Sequence, residues 1–240
     1  MSRCKETGRG GRESEGGREG KSAKVIKSWL CFFFFNRAYG KIHYIINNAG
    51  FTYDGMIHKM DDKQWDLMLT VHQTAPFRIV RAAAPYFRDA AKEEMDTKGK
   101  ADDRCIINIS STSGLHGNVG QINYSTAKMG VLGMTKTIAK EWGGFGVRCN
   151  AVAFGLIETR LTRSKEAGES IEIEGKKIAV GIPGKTGTGL NRDRAALGKA
   201  IPLARPGQPD EAAGAVVMLC SPYSSYVSGH CLEVTGGAFI

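Results

Sequence analysis

Short apolar runs alternating with long helical stretches constrain this chain more than any other feature. Ile42 to Ile46 ends in Asn47-Asn48-Ala49-Gly50, Cys105 to Ser110 (CIINIS) leads into a Gly-rich loop, and Val147 to Ala153 (VRCNAVA) is a third such run. Short apolar runs bounded by turn residues are strands buried on both faces. Between the first two lies a long helix opened by Asp61-Asp62, where acid groups favour the dipole. It runs through Trp65, Leu69, Phe77, Val80 and Ala84 to about Ala91. Pro76 and Pro85 predict kinks within it. A charged loop, Lys92 to Asp103, leads to the second strand. Ile122 to Trp142 is a second long helix, followed by the third strand. Residues 158–200 are polar and Gly-rich, with no firm period. A helix near Asp210 to Cys220 and a strand at Cys231 to Thr235 close the chain. Strands alternating with helices predict an α/β fold: parallel strands, here near 42–46, 105–110, 147–153 and 231–235, with helices on both faces.

The 240 residues suffice for one well-buried domain. Residues 1–22 hold almost nothing apolar and are expected to be disordered, so residues 1–35 form a basic, Gly-rich tail plus a short apolar segment, and the folded domain spans 36–240. The formal charge is +9. Eight Lys or Arg against four Glu fall in residues 1–27, and the remainder is spread thinly. No basic run alternates with aromatics, which argues against nucleic acid. Val25 to Phe35 (VIKSWLCFFFF) is too short to span a membrane, and Asn36-Arg37-Ala38-Tyr39 offers no cleavage site for a signal peptide. The six cysteines contain no C-x-x-C pair, which excludes the usual zinc and redox motifs. Cys105, Cys149 and Cys231 lie in apolar stretches and behave as small hydrophobes. A reducing compartment follows, and hence the cytoplasm.

Tyr124 and Lys128 lie four residues apart in the second long helix, on one face. A phenol is a poor acid or base at neutral pH, but an adjacent ammonium favours the phenolate. The pair is therefore a candidate proton-transfer group. As an isolated pair it is far more often an ordinary helix surface. Its context argues otherwise, because Ser111 follows the strand ending at Ser110, at the carboxyl edge where open α/β sheets place their sites. Gly114, Gly117 and Gly120 let the intervening loop bring strand end and helix together. A Ser hydroxyl there can donate to a carbonyl oxygen held beside the phenol.

The stretch Asn108-Ile-Ser-Ser-Thr-Ser-Gly114, then Gly117, Gly120-Gln121 and Asn123-Tyr124-Ser-Thr-Ala-Lys128-Met-Gly130, resembles the catalytic segment of the short-chain dehydrogenase/reductase family. Asn47-Asn48-Ala49-Gly50 resembles its fourth-strand motif, and Gly155-Leu156-Ile157-Glu158-Thr159 the turn that holds the nicotinamide amide. Ile201-Pro-Leu-Ala-Arg205-Pro-Gly207, Asp210-Glu211-Ala-Ala213, Val227-Ser-Gly229 and Gly236-Gly237 resemble its closing region. The texture is closest to 3-oxoacyl-carrier-protein reductase-like and hydroxysteroid-like members. The likeness implies a Rossmann-like, doubly wound sheet and an NAD(P)-dependent oxidoreductase acting on a carbonyl or secondary alcohol. It implies Tyr124 as general acid/base, Lys128 as the group that lowers its pKa and binds the nicotinamide ribose, and Ser111 as the group that orients the substrate oxygen. Asn48, Ala49 and Gly50 would line the cofactor groove, and Ile157 and Thr159 would meet the carboxamide. The cofactor is NADP or NAD, with no metal. Residues 158–200 would be the mobile substrate lid, and the two long helices the surface of a homodimer or homotetramer.

The chain departs from that pattern in places. The family opens with a strand and the turn T-G-x-x-x-G-x-G, whose glycines let backbone approach the pyrophosphate. Thr7-Gly8-Arg9-Gly10-Gly11-Arg12-Glu13-Ser14 begins in that way but places Arg12 and Ser14 where glycines belong. The 41 residues before Ile42 are too few for the two βαβ units expected there, so the first strands and the Gly-rich turn are expected to be absent and nucleotide binding weak. The strand at 42–46 then becomes an apolar edge, with Val25 to Phe35 as the nearby segment able to cover it. The alternative function is a cofactor-deficient, non-catalytic relative or an aberrant gene product. The family's catalytic Asn, seven residues after a helical Trp, is His72 here. A His can donate and accept in a relay, or simply pack in the core at a helix kink. Phe154 replaces the family's Pro before Gly155. Ala179 to Thr186 falls one residue short of a phosphate loop, and glycines follow where its helix should start. Asn108-Ile-Ser110 and Asn123-Tyr-Ser125 match the glycosylation pattern on buried elements.

Overall fold

A computed structural model of the chain describes residues 37–163, 168, 170–173, 176–179, 181 and 194–240. The tail, Val25 to Phe35 and nearly all of the phosphate-loop-like stretch lie outside these residues. Four strands form one sheet: β1 (Tyr44–Asn47), β2 (Arg104–Ser111), β3 (Val147–Phe154) and β6 (Cys231–Val234), in the order β1-β2-β3-β6. All three pairings are parallel, with Ile45 opposite Ile106, Ile106 opposite Cys149, and Val152 opposite Leu232. The observed strands lie within two residues of the sequence boundaries. β2 and β3 are buried along seven of their eight residues, the signature of strands covered on both faces.

The period of two divides each strand between two helical layers. Ile45, Ile106, Val147 and Cys149 pack with Val80, Ala83, Phe87, Ala91, Ile138 and Trp142 on one face. Cys105, Ile107, Ile109 and Val152 pack with Leu219 and Val216 on the other. The first layer holds a long helical stretch, α1 (Asp62–Leu69), α2 (Ala75–Ala84) and α3 (Ala90–Lys98), together with α5 (Ile122–Trp142). The second holds α7 (Pro209–Cys220). The Asp61 side chain caps α1 by accepting from the Gln64 amide at 2.7 Å, and the Gln64 side chain accepts back from the Asp61 amide at 3.2 Å.

The kinks expected at Pro76 and Pro85 take the form of two π turns, Thr70–Thr74 and Pro85–Asp89. Pro76 has no N–H to give to the carbonyl of His72 four residues back. The helix takes up the gap by bonding the Ala75 amide to the Thr70 carbonyl instead.

Three elements lie where the sequence showed none. Part of the expected loop after Ser111 is a short helix, α4 (Thr112–His116), and residues 158–200 contain an antiparallel hairpin, β4 (Ser170–Ile173) with β5 (Lys176–Ala179), and the helix α6 (Arg194–Ala200). Each is seven residues or fewer, too short for its period to stand above the polar background.

Among the described residues β1 pairs with β2 alone, and Tyr44 and Ile46 are about half exposed. Both lie on the α7 side of the sheet, beyond the reach of α7. At the opposite, amino-terminal edge, the Arg104 guanidinium is fully buried and grips Glu94 by two bonds, Nη1 to Oε2 at 2.6 Å and Nη2 to Oε1 at 3.1 Å. This pair holds the Glu94 carboxyl well below its usual range. Removing one partner of such a pair strands a buried charge. Glu94→Ala is expected to cost about 3–5 kcal/mol, read as a lower urea midpoint with an unchanged slope. A loss under about 1 kcal/mol would show the Arg104 charge to be satisfied without Glu94.

Candidate active site

The site is assembled where the carboxyl end of β2 meets the first half of α5. Ser110 Oγ donates to the Lys128 carbonyl at 2.8 Å, and Lys128 Nζ donates to the Ile109 carbonyl at 2.7 Å. A Cβ on Gly114 would lie 2.9 Å from the backbone carbon of Lys128 and 2.9 Å from the nitrogen of Met129. Only glycine admits this approach of α4 to α5. Gly117 and Gly120, at φ 75° and 77°, turn the chain between them. Ser111 caps α4 by accepting from the Ser113 amide at 3.2 Å, and its hydroxyl, near the Tyr124 phenol, favours the phenolate. Lys128 Nζ lies 5.6 Å from the centroid of the Tyr124 ring. Ser111, Tyr124 and Lys128 thus converge.

Their electrostatics differ from the expectation at one point. Burial pushes the Tyr124 phenol up to about 12; the Ser111 hydroxyl opposes this and the charge of Asp54 adds to it. The sequence predicted a lowered phenol beside an ammonium, but that ammonium is turned to the carbonyl of Ile109 and leaves the phenol unassisted. Burial also brings Lys128 down to about 8. Burial therefore moves the two groups apart in pKa, the phenol up and the ammonium down, and both start in their protonated forms at neutral pH.

His72 lies inside the π turn and is 2% exposed. Nε2 lies 2.8 Å from the carbonyl of Phe51, and Nδ1 has no hydrogen-bond partner. The ring stands edge-on to Tyr124, with centroids 5.1 Å apart. Burial, helped by the Lys128 charge and opposed by the Phe51 carbonyl, lowers its pKa to about 3. The imidazole is therefore neutral, and Nε2 carries the proton that the carbonyl accepts. His72 is thus a packed residue at a helix kink, one of the two sequence expectations, and its ring stands against that of Tyr124.

Asn48, Ala49 and Gly50 are exposed just past the end of β1. Ile157 and Thr159 follow β3 at the same carboxyl edge, where parallel sheets bind ligands. Ile157 is buried and bridges to Gly207, and the Thr159 amide donates to Thr162 Oγ1 at 2.9 Å. An exposed run of small residues, a buried lysine and the unpartnered Nδ1 of His72 beside Gly50 make a surface that fits a nicotinamide nucleotide. A Cβ on Gly50 would come within 2.3 Å of the His72 ring, so that floor is as low as the chain allows. Among the described residues no group of three or more His, Cys, Asp or Glu stands ready for a metal, and no helix is long and apolar enough to cross a membrane.

Several contributors carry no periodic or motif signal that assigns them a role. Asn123, fully buried, donates to the carbonyls of Tyr53 (3.0 Å) and Gln64 (3.1 Å) and accepts from the Tyr124 amide at 2.7 Å. Gln121 Nε2 reaches both carboxylate oxygens of Asp54, at 3.2 and 3.3 Å. Ile171 and Ile178 of the hairpin pack with Phe51, Met68 and Tyr124, so the hairpin lies over the site. Apart from the bond between Asn123 and Tyr124, these join segments far apart in sequence, which no local pattern encodes.

The family model for short chain dehydrogenases matches residues 32–170, and that for enoyl-(acyl carrier protein) reductases matches 182–238. The chain is 36% identical over 203 residues to a 3-oxoacyl-[acyl-carrier-protein] reductase of Thermotoga maritima, covering 84% of this chain and 68% of that protein. It is 35% identical over 202 residues to the Vibrio harveyi reductase of the same description, at 84% and 68% coverage. Nodulation protein G of Azospirillum brasilense is 34% identical over 199 residues, at 82% and 66%.

The His72 geometry gives a pH dependence with a definite sign. The unfolded chain takes a proton near pH 6.5, whereas the folded one resists until about 3. This stability is present above pH 6.5 and is lost as pH falls toward 3, on the order of 5 kcal/mol in all. His72→Asn is expected to remove one proton from the uptake on acid unfolding. An identical acid limb in the two proteins would show that His72 is solvated and titrates normally.

Proposed function

Because the chain belongs to the short-chain dehydrogenase family, we propose that it is an oxidoreductase that interconverts a carbonyl compound and a secondary alcohol with NADP or NAD, using Tyr124 as the proton-transfer group. The observation that carries this reading is the convergence of the Ser111 hydroxyl, the Tyr124 phenol and the Lys128 ammonium at the carboxyl end of β2, with Lys128 Nζ 5.6 Å from the centroid of the Tyr124 ring.

When bound, the nicotinamide supplies or accepts the hydride at the substrate carbon. Asn48, Ala49 and Gly50 would line its groove, Ile157 and Thr159 would meet its carboxamide, and Lys128 together with Tyr124 would hold its ribose. In the direction of reduction, Ser111 donates to the substrate carbonyl oxygen and fixes it beside the phenol. Tyr124 begins protonated and gives its proton as charge develops on that oxygen. The phenolate left behind is stabilised once Lys128 Nζ leaves the Ile109 carbonyl and turns toward it. His72, neutral and in contact with the ring, holds Tyr124 in place and offers Nδ1 as an acceptor in a proton relay.

The printed descriptions of the relatives point to a 3-oxoacyl thioester as substrate class. The β4–β5 hairpin over Tyr124 supports a role for residues 158–200 as the lid. Apolar Phe77 on α2 and Met129 on α5, both about half exposed, support a homodimer or homotetramer formed through the helical layer. The free cysteines support a reducing compartment such as the cytoplasm.

The test follows NADPH and NADH oxidation with acetoacetyl-coenzyme A. Tyr124→Phe is expected to lower turnover by a factor of about 10² to 10⁴ while leaving the unfolding midpoint in place. Calorimetry on the parent chain is its companion. Nucleotide affinity in the micromolar range or tighter supports the oxidoreductase. Undetectable binding of both nucleotides sinks it in favour of a non-catalytic relative.

A further inference from the structure

Among the described residues, two that are not glycine take a left-handed backbone, Ala204 at φ 53° and Phe239 at φ 71°. For a bulky side chain this conformation is strained, and it persists only where the surroundings enforce it. The two residues lie on segments that are bonded together. The Leu203 amide donates to the Gly236 carbonyl at 3.1 Å. A Cβ on Gly236 would lie 2.9 Å from Ile201 Cγ2, and one on Gly237 would lie 2.9 Å from Pro202 Cγ. Ala238 is buried with Leu197 of α6 and with Ile201. The segment after β6 is thus pressed against the chain that leaves α6, and it presents Phe239 at the carboxyl edge of the sheet.

There Phe239 lies flat on His116, with ring centroids 4.4 Å apart and planes 14° from parallel. Glu233 of β6 meets the same imidazole, with Oε2 3.5 Å from Nε2. His116 is the last residue of α4, and Ser111 is its N-cap. A helix of five residues cannot hold itself together, so α4 depends on what grips it. Gly114 seats its middle on α5, and the Thr112 hydroxyl donates to the Phe154 carbonyl at 3.3 Å. Phe239 and Glu233 hold its far end. The consequence reaches Ser111. The Ser113 amide, inside α4, donates to Ser111 Oγ at 3.2 Å. That bond occupies a lone pair of the oxygen and leaves its hydrogen to be given to a substrate.

Resting on the oxidoreductase reading, we propose that Phe239 is a positioning residue for Ser111: stacked on His116, it fixes the far end of α4 and so keeps the Ser111 hydroxyl aimed as a donor. Stacked rings hold each other in a preferred geometry, and with it the backbone that carries them. A hydroxyl is a rotor whose direction is set by the bonds around it. When α4 loosens, the Ser113 amide no longer fixes that direction, and the hydroxyl turns away from the substrate oxygen. Misplacement of this kind lowers turnover and leaves nucleotide affinity in place.

The test has two arms. The first needs no turnover and follows hydrogen exchange at the Gly117 amide, which donates to the Ser113 carbonyl at 3.0 Å and closes α4. Phe239→Ala is expected to speed exchange there about tenfold or more, with the β2 amides unchanged. The ring protons of His116 are expected to shift downfield in the same variant, because the stacked ring is gone. The second arm uses acetoacetyl-coenzyme A with NADPH or NADH. Phe239→Ala is expected to lower kcat about 10- to 100-fold with little change in the KM for the nucleotide. Phe239→Tyr keeps a flat ring and is expected to restore both readings. His116→Ala is expected to match Phe239→Ala, and the double variant to be no worse than either, which keeps the question decidable if one variant folds poorly. Parent-like exchange at Gly117 or parent-like kcat in Phe239→Ala overturns the proposal, as do losses that add in the double variant. If Tyr124→Phe leaves turnover unchanged, the oxidoreductase reading falls, while exchange at Gly117 still decides whether Phe239 holds α4.

Discussion

Two hydrogen bonds running in opposite directions join β2 to α5. The side chain of Ser110 reaches the backbone of Lys128, and the side chain of Lys128 reaches the backbone of Ile109. Each satisfies a buried polar group that would otherwise cost free energy to bury. Together they set strand end and helix at one distance and one rotation. The close approach at Gly114 permits that distance. Everything at the site follows from this junction: Ser111 comes one residue after the clasp on the strand, and Tyr124 one turn before it on the helix. The parallel pairing of β1, β2 and β3 then brings the loops after all three strands to the same edge.

Burial sets the chemistry of that edge. It pushes the phenol up, and it brings the lysine and the histidine down. The three shifts share one cause, because water that would solvate each charged form has been replaced by Phe51, Met68, Ile178 and the sheet. The result is a phenol that is protonated at neutral pH, beside an ammonium held by the Ile109 carbonyl. The helix layer that shuts out the water is distorted where it does so. The π turn at Thr70–Thr74, placed by Pro76, turns His72 inward against Tyr124. A regular helix would carry that residue elsewhere on its surface.

Strands β1, β2, β3 and β6 were legible because burial on both faces demands continuous apolar runs, and the long helices because their periods extend over several turns. The triplet of Ser111, Tyr124 and Lys128 was legible from its spacing and its glycines. The β4–β5 hairpin and α6 were not, since elements of four to seven residues carry too few periods to rise above a polar background. Asp54 and Asn123 were not either. Nothing in Phe51-Thr52-Tyr53-Asp54-Gly55 marks a carboxylate destined for Gln121, 67 residues on.

The sequence by itself determined the parallel α/β architecture, the carboxyl-edge location of the site and the residue types able to move a proton there. Those follow from local rules: which faces must be buried, where turns must fall, which side chains share a helical face. The tertiary structure alone decided the protonation state in which those residues start. A phenol beside an ammonium in sequence is expected to ionise readily, yet here the ammonium is bonded to Ile109 and the phenol is buried. The physical reason is that a pKa records the solvation and charges around a group in three dimensions, and those neighbours come from β1, β2, α1 and the hairpin, segments brought together only when the chain folds.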